Sequence, residues 1–69
     1  MENDLRRWRA RRGLSQGDLA NAVGVSRQTI NAIERGRSDP SLALAFELAA
    51  AFDCDVETLF DYEPSAATV

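Results

Sequence analysis

The stretch from Ser15 to Gly36 carries two helix starts and two helix stops, and their spacing constrains this chain more than any other feature. Ser15, with Asp18 three residues on, has the pattern of a capping box, and Leu19, Ala20 and Val23 then fall on one helical face. Gly24 supplies the positive φ that ends a helix within a single residue. Val25 is apolar and suited to fill the angle that follows. Ser26 then caps a second helix, Ile30 and Ile33 form its inward stripe, and Gly36 stops it. Two short helices held at a steep angle by a glycine-containing turn describe a helix-turn-helix.

The flanks extend this pair into an all-α chain of five helices. The first is expected from about Asp4 to Arg12, with Asn3 as cap and Gly13 as stop. Leu5, Trp8 and Arg12 share one side of it, Arg9 lies at the margin of the buried face, and Arg6, Arg7 and Arg11 point outward. The helix-turn-helix pair covers about Gln16 to Val23 and Arg27 to Arg35. A fourth helix follows the loop Arg37-Ser38-Asp39-Pro40, started either by Asp39 with Pro40 or by Ser41, and runs to about Phe52. Leu42, Ala45, Leu48, Ala49 and Phe52 make its inward face. Leu44 and Phe46 widen the apolar arc to roughly 200°, about twice what one core requires, so a second contact is expected there. A short fifth helix spans about Val56 to Phe60, with Asp55 as its cap. One domain over residues 1–63 is expected, followed by a tail over 64–69 whose small residues show no periodicity.

On a helical wheel at about 100° per residue, Ile30 and Ile33 of the third helix point inward with Thr29 beside them. Gln28, Asn31, Ala32 and Arg35 point the opposite way, and Arg27 borders them. Glutamine bonds adenine in a bidentate fashion, arginine does so with guanine, and an alanine methyl touches thymine. That face therefore has the chemistry of a major-groove reading surface. A net charge of −3 looks wrong for such a role until it is divided along the chain. All eight basic residues are arginines within 1–37, where Glu2, Asp4, Asp18 and Glu34 are the only acids; residues 38–69 hold seven acids and no base. The asymmetry predicts a basic contact face and an acidic rear.

The motif resembles the Cro/CI-type (XRE-like) family of DNA-binding domains. The resemblance rests on Leu14-Ser15-Gln16, Leu19-Ala20, Val23-Gly24-Val25-Ser26 and Ile30 through Ile33-Glu34-Arg35-Gly36; Pro40-Ser41-Leu42, Leu48-Ala49 and Leu59-Phe60 extend it over most of residues 5–60. It implies a five-helix bundle and a sequence-specific DNA-binding regulator, with repression as the default. A homodimer on double-stranded DNA is expected, each third helix lying in the major groove of one half-site. Gln16 should then touch the DNA backbone and brace the reading helix. Arg27 and Gln28 are the leading base-contact residues, with Asn31 and Ala32 behind them, while Arg35 and Arg37 hold phosphate. Arg9 and Glu34, each at the margin of its helix's apolar face, match positions where the family carries an ion pair. Short members dimerise through the last helix, sometimes with a small strand after it, and Phe60 to Glu63 suits such a strand. Leu59, Phe60 and Tyr62, with Leu44 or Phe46, are accordingly expected in the dimer contact. Ser41 stands where some relatives carry a basic residue that reaches the minor groove.

A different reading makes the chain a protein-interaction module, such as an antitoxin or a coactivator-like bridging factor; the acidic half and broad fourth helix are compatible with it. Catalysis is not expected: there is no histidine, no glycine-rich phosphate loop after a strand and no nucleophile–base pairing. With one cysteine and no histidine, neither a disulfide framework nor a metal site is expected, and no cofactor or small-molecule ligand is implied. Cys54, between acids, reads as a small buried hydrophobe. No apolar run reaches membrane-spanning length and the first residues lack a signal-peptide core, so the expected location is cytoplasmic.

Overall fold

Each helix begins and ends where a local side chain or glycine can satisfy the free backbone groups. The computed structural model describes residues 1–65, and the expected tail lies, from residue 66 on, outside them. Helix α1 spans Leu5–Arg12 and closes on Gly13 in the left-handed region. Asn3 does not occupy the cap position, which falls to Asp4, yet its Oδ1 accepts from the Leu5 N–H at 3.2 Å. Helix α2 (Gln16–Val23) starts with both hydrogen bonds of the Ser15–Asp18 capping box. It stops at Gly24, whose φ of 75° lets its N–H turn back to the Ala20 carbonyl. Helix α3 (Arg27–Glu34) is capped by Ser26 and α4 (Leu42–Ala51) by Ser41 Oγ, which accepts from the Leu44 N–H at 3.0 Å. Asp55 occupies the cap position of the single-turn α5 (Val56–Leu59) without a side-chain bond.

One core joins the five helices. Leu5, Leu19, Ile30, Ile33, Leu48, Phe52 and Leu59 are all fully buried, with Ala20, Ala45, Ala49 and Phe60 between them. Trp8 is half-buried against Phe52, ring centroids 5.9 Å apart, and the Arg11 guanidinium lies over its outer face. Cys54 is half-buried; burial and the neighbouring Asp55 push its thiol up, against ionisation.

One expectation needs correction. Leu42 does not join the inward face of α4: it is 74% exposed. It stands about 70° around the helix from the centre of the buried residues, at the first position of the helix, so it turns away from the core onto the side of Phe46. Leu59 and Phe60, expected in a contact between copies, are packed into the protomer's own core, at 1% and 7% exposure.

The strand expected after α5 is one half of a small antiparallel ribbon. Strand β2 is Phe60–Asp61, shorter than expected, and its partner is β1 (Glu2–Asn3), with Glu2 opposite Asp61 and Asn3 opposite Phe60. The Asp4 N–H donates to the Leu59 carbonyl at 2.8 Å, continuing the pairing into α1. From this ribbon the Asn3 amide donates to the Ile33 carbonyl at 2.8 Å, tying the end of α3 to both chain ends. Asn3→Ala removes a partly buried donor and leaves that carbonyl without it; urea unfolding should show a loss of about 1–2 kcal/mol. Glu2→Ala, on the exposed side of the same strand, should change stability by less than about 0.5 kcal/mol.

Candidate nucleic-acid interface

Helix α3 turns a buried edge inward and a polar edge out. Ser26 Oγ accepts from the Thr29 N–H at 3.2 Å and lies 3.0 Å from the Thr29 hydroxyl, so the first turn is fixed by its own side chains. Ile30 and Ile33 anchor the helix in the core. On the other edge Arg27, Gln28 and Arg35 are exposed, while Asn31 and Ala32 are half-buried. Gly36, at φ 73°, closes the helix: its N–H donates to Ile33, and the Arg37 N–H donates to the Ala32 carbonyl at 2.9 Å. These two bonds form a Schellman closure. The Arg37 backbone is thus held against the last turn of α3, with its side chain exposed.

Glu34 is the only acid within α3, and it is occupied. Arg9 Nε donates to Glu34 Oε2 at 2.7 Å and Arg9 Nη2 to Oε1 at 3.1 Å, a forked pair whose side chains are 15% and 5% exposed. Arg9 Nη1 also donates to the Leu14 carbonyl at 2.9 Å, so the guanidinium links α1, α3 and the segment leading into α2. Burial alone raises the Glu34 pKa, but the hydrogen bonds from Arg9 and Gln16 and the charges of Arg9 and Arg6 outweigh it and hold the carboxyl below its usual range. With its acid neutralised in this way, the outward side of α3 carries Arg27, Arg35 and, just beyond, Arg37.

Gln16, at the first position of α2, meets the same cluster. Its Nε2 donates to Glu34 Oε1 at 3.1 Å, and its Oε1 lies 3.5 Å from Asn31 Nδ2. The sequence does not reveal this second link, because hydrogen bonds between long polar side chains leave no periodic trace. Gln28, by contrast, makes no side-chain hydrogen bond among the described residues.

The residues expected in contact between copies differ in exposure. Leu44 is half-buried, Phe46 and Tyr62 are exposed, and Leu59 and Phe60 belong to the core. Phe46 borders a shallow groove between α4 and α5 lined by Ala50, Cys54 and Val56. Among the described residues no helix is long and apolar enough to cross a membrane.

A capped helix pair with a polar outer helix, inside a five-helix bundle, defines a Cro/CI-type helix-turn-helix domain. Comparison with known proteins agrees: the helix-turn-helix family profile matches residues 5–59, and the chain belongs to that family. An uncharacterised helix-turn-helix-type transcriptional regulator of Methanocaldococcus jannaschii is 54% identical over 63 residues, 91% of this chain and 96% of that protein. Among solved structures, the restriction-modification controller protein C.AhdI from Aeromonas hydrophila superposes with a TM-score of 0.75 at 39% identity, covering 81% of this chain and 85% of that one. The biofilm regulator SinR, in a structure with DNA, superposes with a TM-score of 0.71 at 29% identity, covering 78% and 87%.

Proposed function

We propose that the protein is a sequence-specific DNA-binding transcriptional regulator that binds its operator as a homodimer and represses by covering it. The observation that carries this reading is the outward edge of α3, where exposed Arg27, Gln28 and Arg35 flank half-buried Asn31 and Ala32. Gln28 and Arg27 face base edges in the major groove, with Asn31 and Ala32 deeper along the helix. Arg35 and Arg37 contact phosphate, and Gln16 approaches the backbone from the start of α2. The likeness to SinR, whose structure was determined with DNA, supports the reading. Its place of action is the cytoplasm.

The test is a footprint on DNA from upstream of the protein's own gene, at stated salt. Two protected half-sites about 34 Å apart on one face of the duplex are expected. Uniform coverage without a protected site, or protection only after a copurifying protein is added, overturns it in favour of a bridging module. The dimer has its own check. Leu42 and Phe46, 74% and 59% exposed, stand one turn apart on α4 and form the apolar strip suited to a two-fold contact. Because Phe46 lies outside the core, Phe46→Asp should leave the protomer folded yet shift wild-type dimer to monomer in sedimentation at micromolar concentration. Wild type sedimenting as a clean monomer overturns the dimer.

A further inference from the structure

A contact about a two-fold axis sets a surface patch against its own copy, so charges at its rim meet their like. On the outer side of α4, Leu42, Phe46 and Ala50 follow one another a turn apart, and all three are exposed. Phe46 and Ala50 also wall the groove toward α5, where Asp55 and Glu57 complete the lining. Both acids are exposed, and neither enters an ion pair among the described residues. The same elements supply no base, because residues 38–69 contain none. Arg12 does reach the end of α4, but its Nη2 donates to the Phe52 carbonyl at 3.0 Å and its guanidinium lies over the Phe52 ring. The apolar strip suited to self-association is therefore bordered by carboxylates that have no cation of their own.

We infer that dimerisation through this strip is held back by Asp55 and Glu57 facing their counterparts across the two-fold axis, and that salt releases it. The inference rests on the proposal that Leu42 and Phe46 form the contact between copies. Covering those two side chains favours association, and that gain acts only at contact. The carboxylates of both copies oppose it over a longer range, and the solution sets that range. The Debye length is about 10 Å at ~0.1 M salt and about 3 Å at ~1 M, so carboxylates facing across the rim repel at the first and are screened at the second. Phosphate contacts respond in the opposite direction, since each releases counterions and weakens as salt rises. The two contacts of the protein thus carry salt dependences of opposite sign. Operator binding by dilute protein, which must first dimerise, should fall with salt less steeply than in a variant without the rim charge.

The experiment is sedimentation of the full chain in sodium chloride at ~0.1 M and ~1 M, where screening differs most. Wild type is compared with Glu57→Gln, the double variant Asp55→Asn with Glu57→Gln, and Phe46→Asp. All these side chains lie outside the core, and asparagine serves as well as aspartate at the cap position of α5. At the lower salt the double variant should dimerise about threefold or more tightly than wild type, with Glu57→Gln between them, and at the higher salt the three should converge. Salt that merely strengthened apolar contact would act on all three equally, so the difference between them reads the repulsion. Phe46→Asp should stay monomeric throughout. If the neutralised variants and wild type dimerise alike at both salts, or wild type dimerises more weakly at the higher salt, the rim does not restrain the contact. The inference then falls and the dimer stands. If Phe46→Asp dimerises as wild type does, the contact lies elsewhere; if wild type and the double variant are monomers at both salts, there is no contact. In either case the inference falls together with the proposed dimer.

Discussion

Arg9→Ala should lower the melting temperature by more than about 12 °C, several times the effect of Arg7→Ala. The two arginines lie on the same helix but in different surroundings. Arg9 is forked onto Glu34, whose side chain is only 5% exposed, and also holds the Leu14 carbonyl. Removing it leaves a desolvated carboxylate, and breaking a buried pair in this way costs about 3–5 kcal/mol. A domain of this size has roughly 3–10 kcal/mol in total, and each kcal/mol moves its melting point by about 4–8 °C. Arg7 is exposed and reaches Asp4 only at 4.0 Å, an interaction worth less than about 1 kcal/mol. Equal, small shifts for the two variants would show that Arg9 is an ordinary surface charge. Arg9→Met combined with Glu34→Leu should recover part of the loss, because no buried charge is then left unpaired.

The same pair gives stability a pH dependence of known sign. The Glu34 carboxyl titrates lower in the folded protein than in the unfolded chain: burial opposes this, and the Arg9 and Gln16 hydrogen bonds outweigh burial. Its contribution is therefore fully present above the unfolded carboxylate value, about 4.3. It is lost as pH falls through the lower folded value. Arg9 is shifted upward, first by its hydrogen bond to Glu34, so its contribution is constant across ordinary pH. Glu34→Gln should flatten the acid side of the stability profile. A slope unchanged in that variant would place the acid sensitivity elsewhere.

What the sequence reveals, and what it hides, follows from the range of the forces involved. Ser15 with Asp18, Gly24, Ser26 and Gly36 act on backbone groups within a few residues, so they mark α2 and α3 almost to the residue. The inward stripe of Ile30 and Ile33 is equally local. Strand β1 was invisible because two residues carry no alternation, and Glu2–Asn3 becomes a strand only when Phe60–Asp61 comes alongside. The apolar arc of α4 was legible as an excess, but periodicity cannot say which body covers it. Leu59 and Phe60 went to the core, whereas Leu42 and Phe46 stayed outside. The candidate reading edge shows the same division. Its outward residues follow from the 3.6-residue period, while the Glu34–Gln16–Asn31 chain spans separate helices and emerges only in three dimensions.

Gln28→Ala and Arg37→Ala should weaken DNA binding in different ways. Gln28 is exposed near the start of α3, where side chains reach base edges. Its loss should cost about 1–3 kcal/mol on the operator, spare a scrambled duplex, and leave the salt dependence nearly unchanged. Arg37 lies beyond Gly36, its backbone fixed to Ala32 but its side chain outside the reading face of the helix. Under the proposed function it meets phosphate there, which carries no sequence information. Arg37→Ala should weaken operator and scrambled duplex alike and reduce the magnitude of the log–log salt slope by about 1, one fewer counterion being released. Both variants would be titrated on both duplexes across a salt series. The contrast depends on where the groups sit and not on their number, since each variant removes a single exposed polar side chain. If Gln28→Ala binds both duplexes as wild type does, α3 is not the reading helix. If Arg37→Ala lowers operator affinity alone, at unchanged salt slope, its guanidinium reads a base and the end of α3 lies deeper in the groove than the Schellman turn implies.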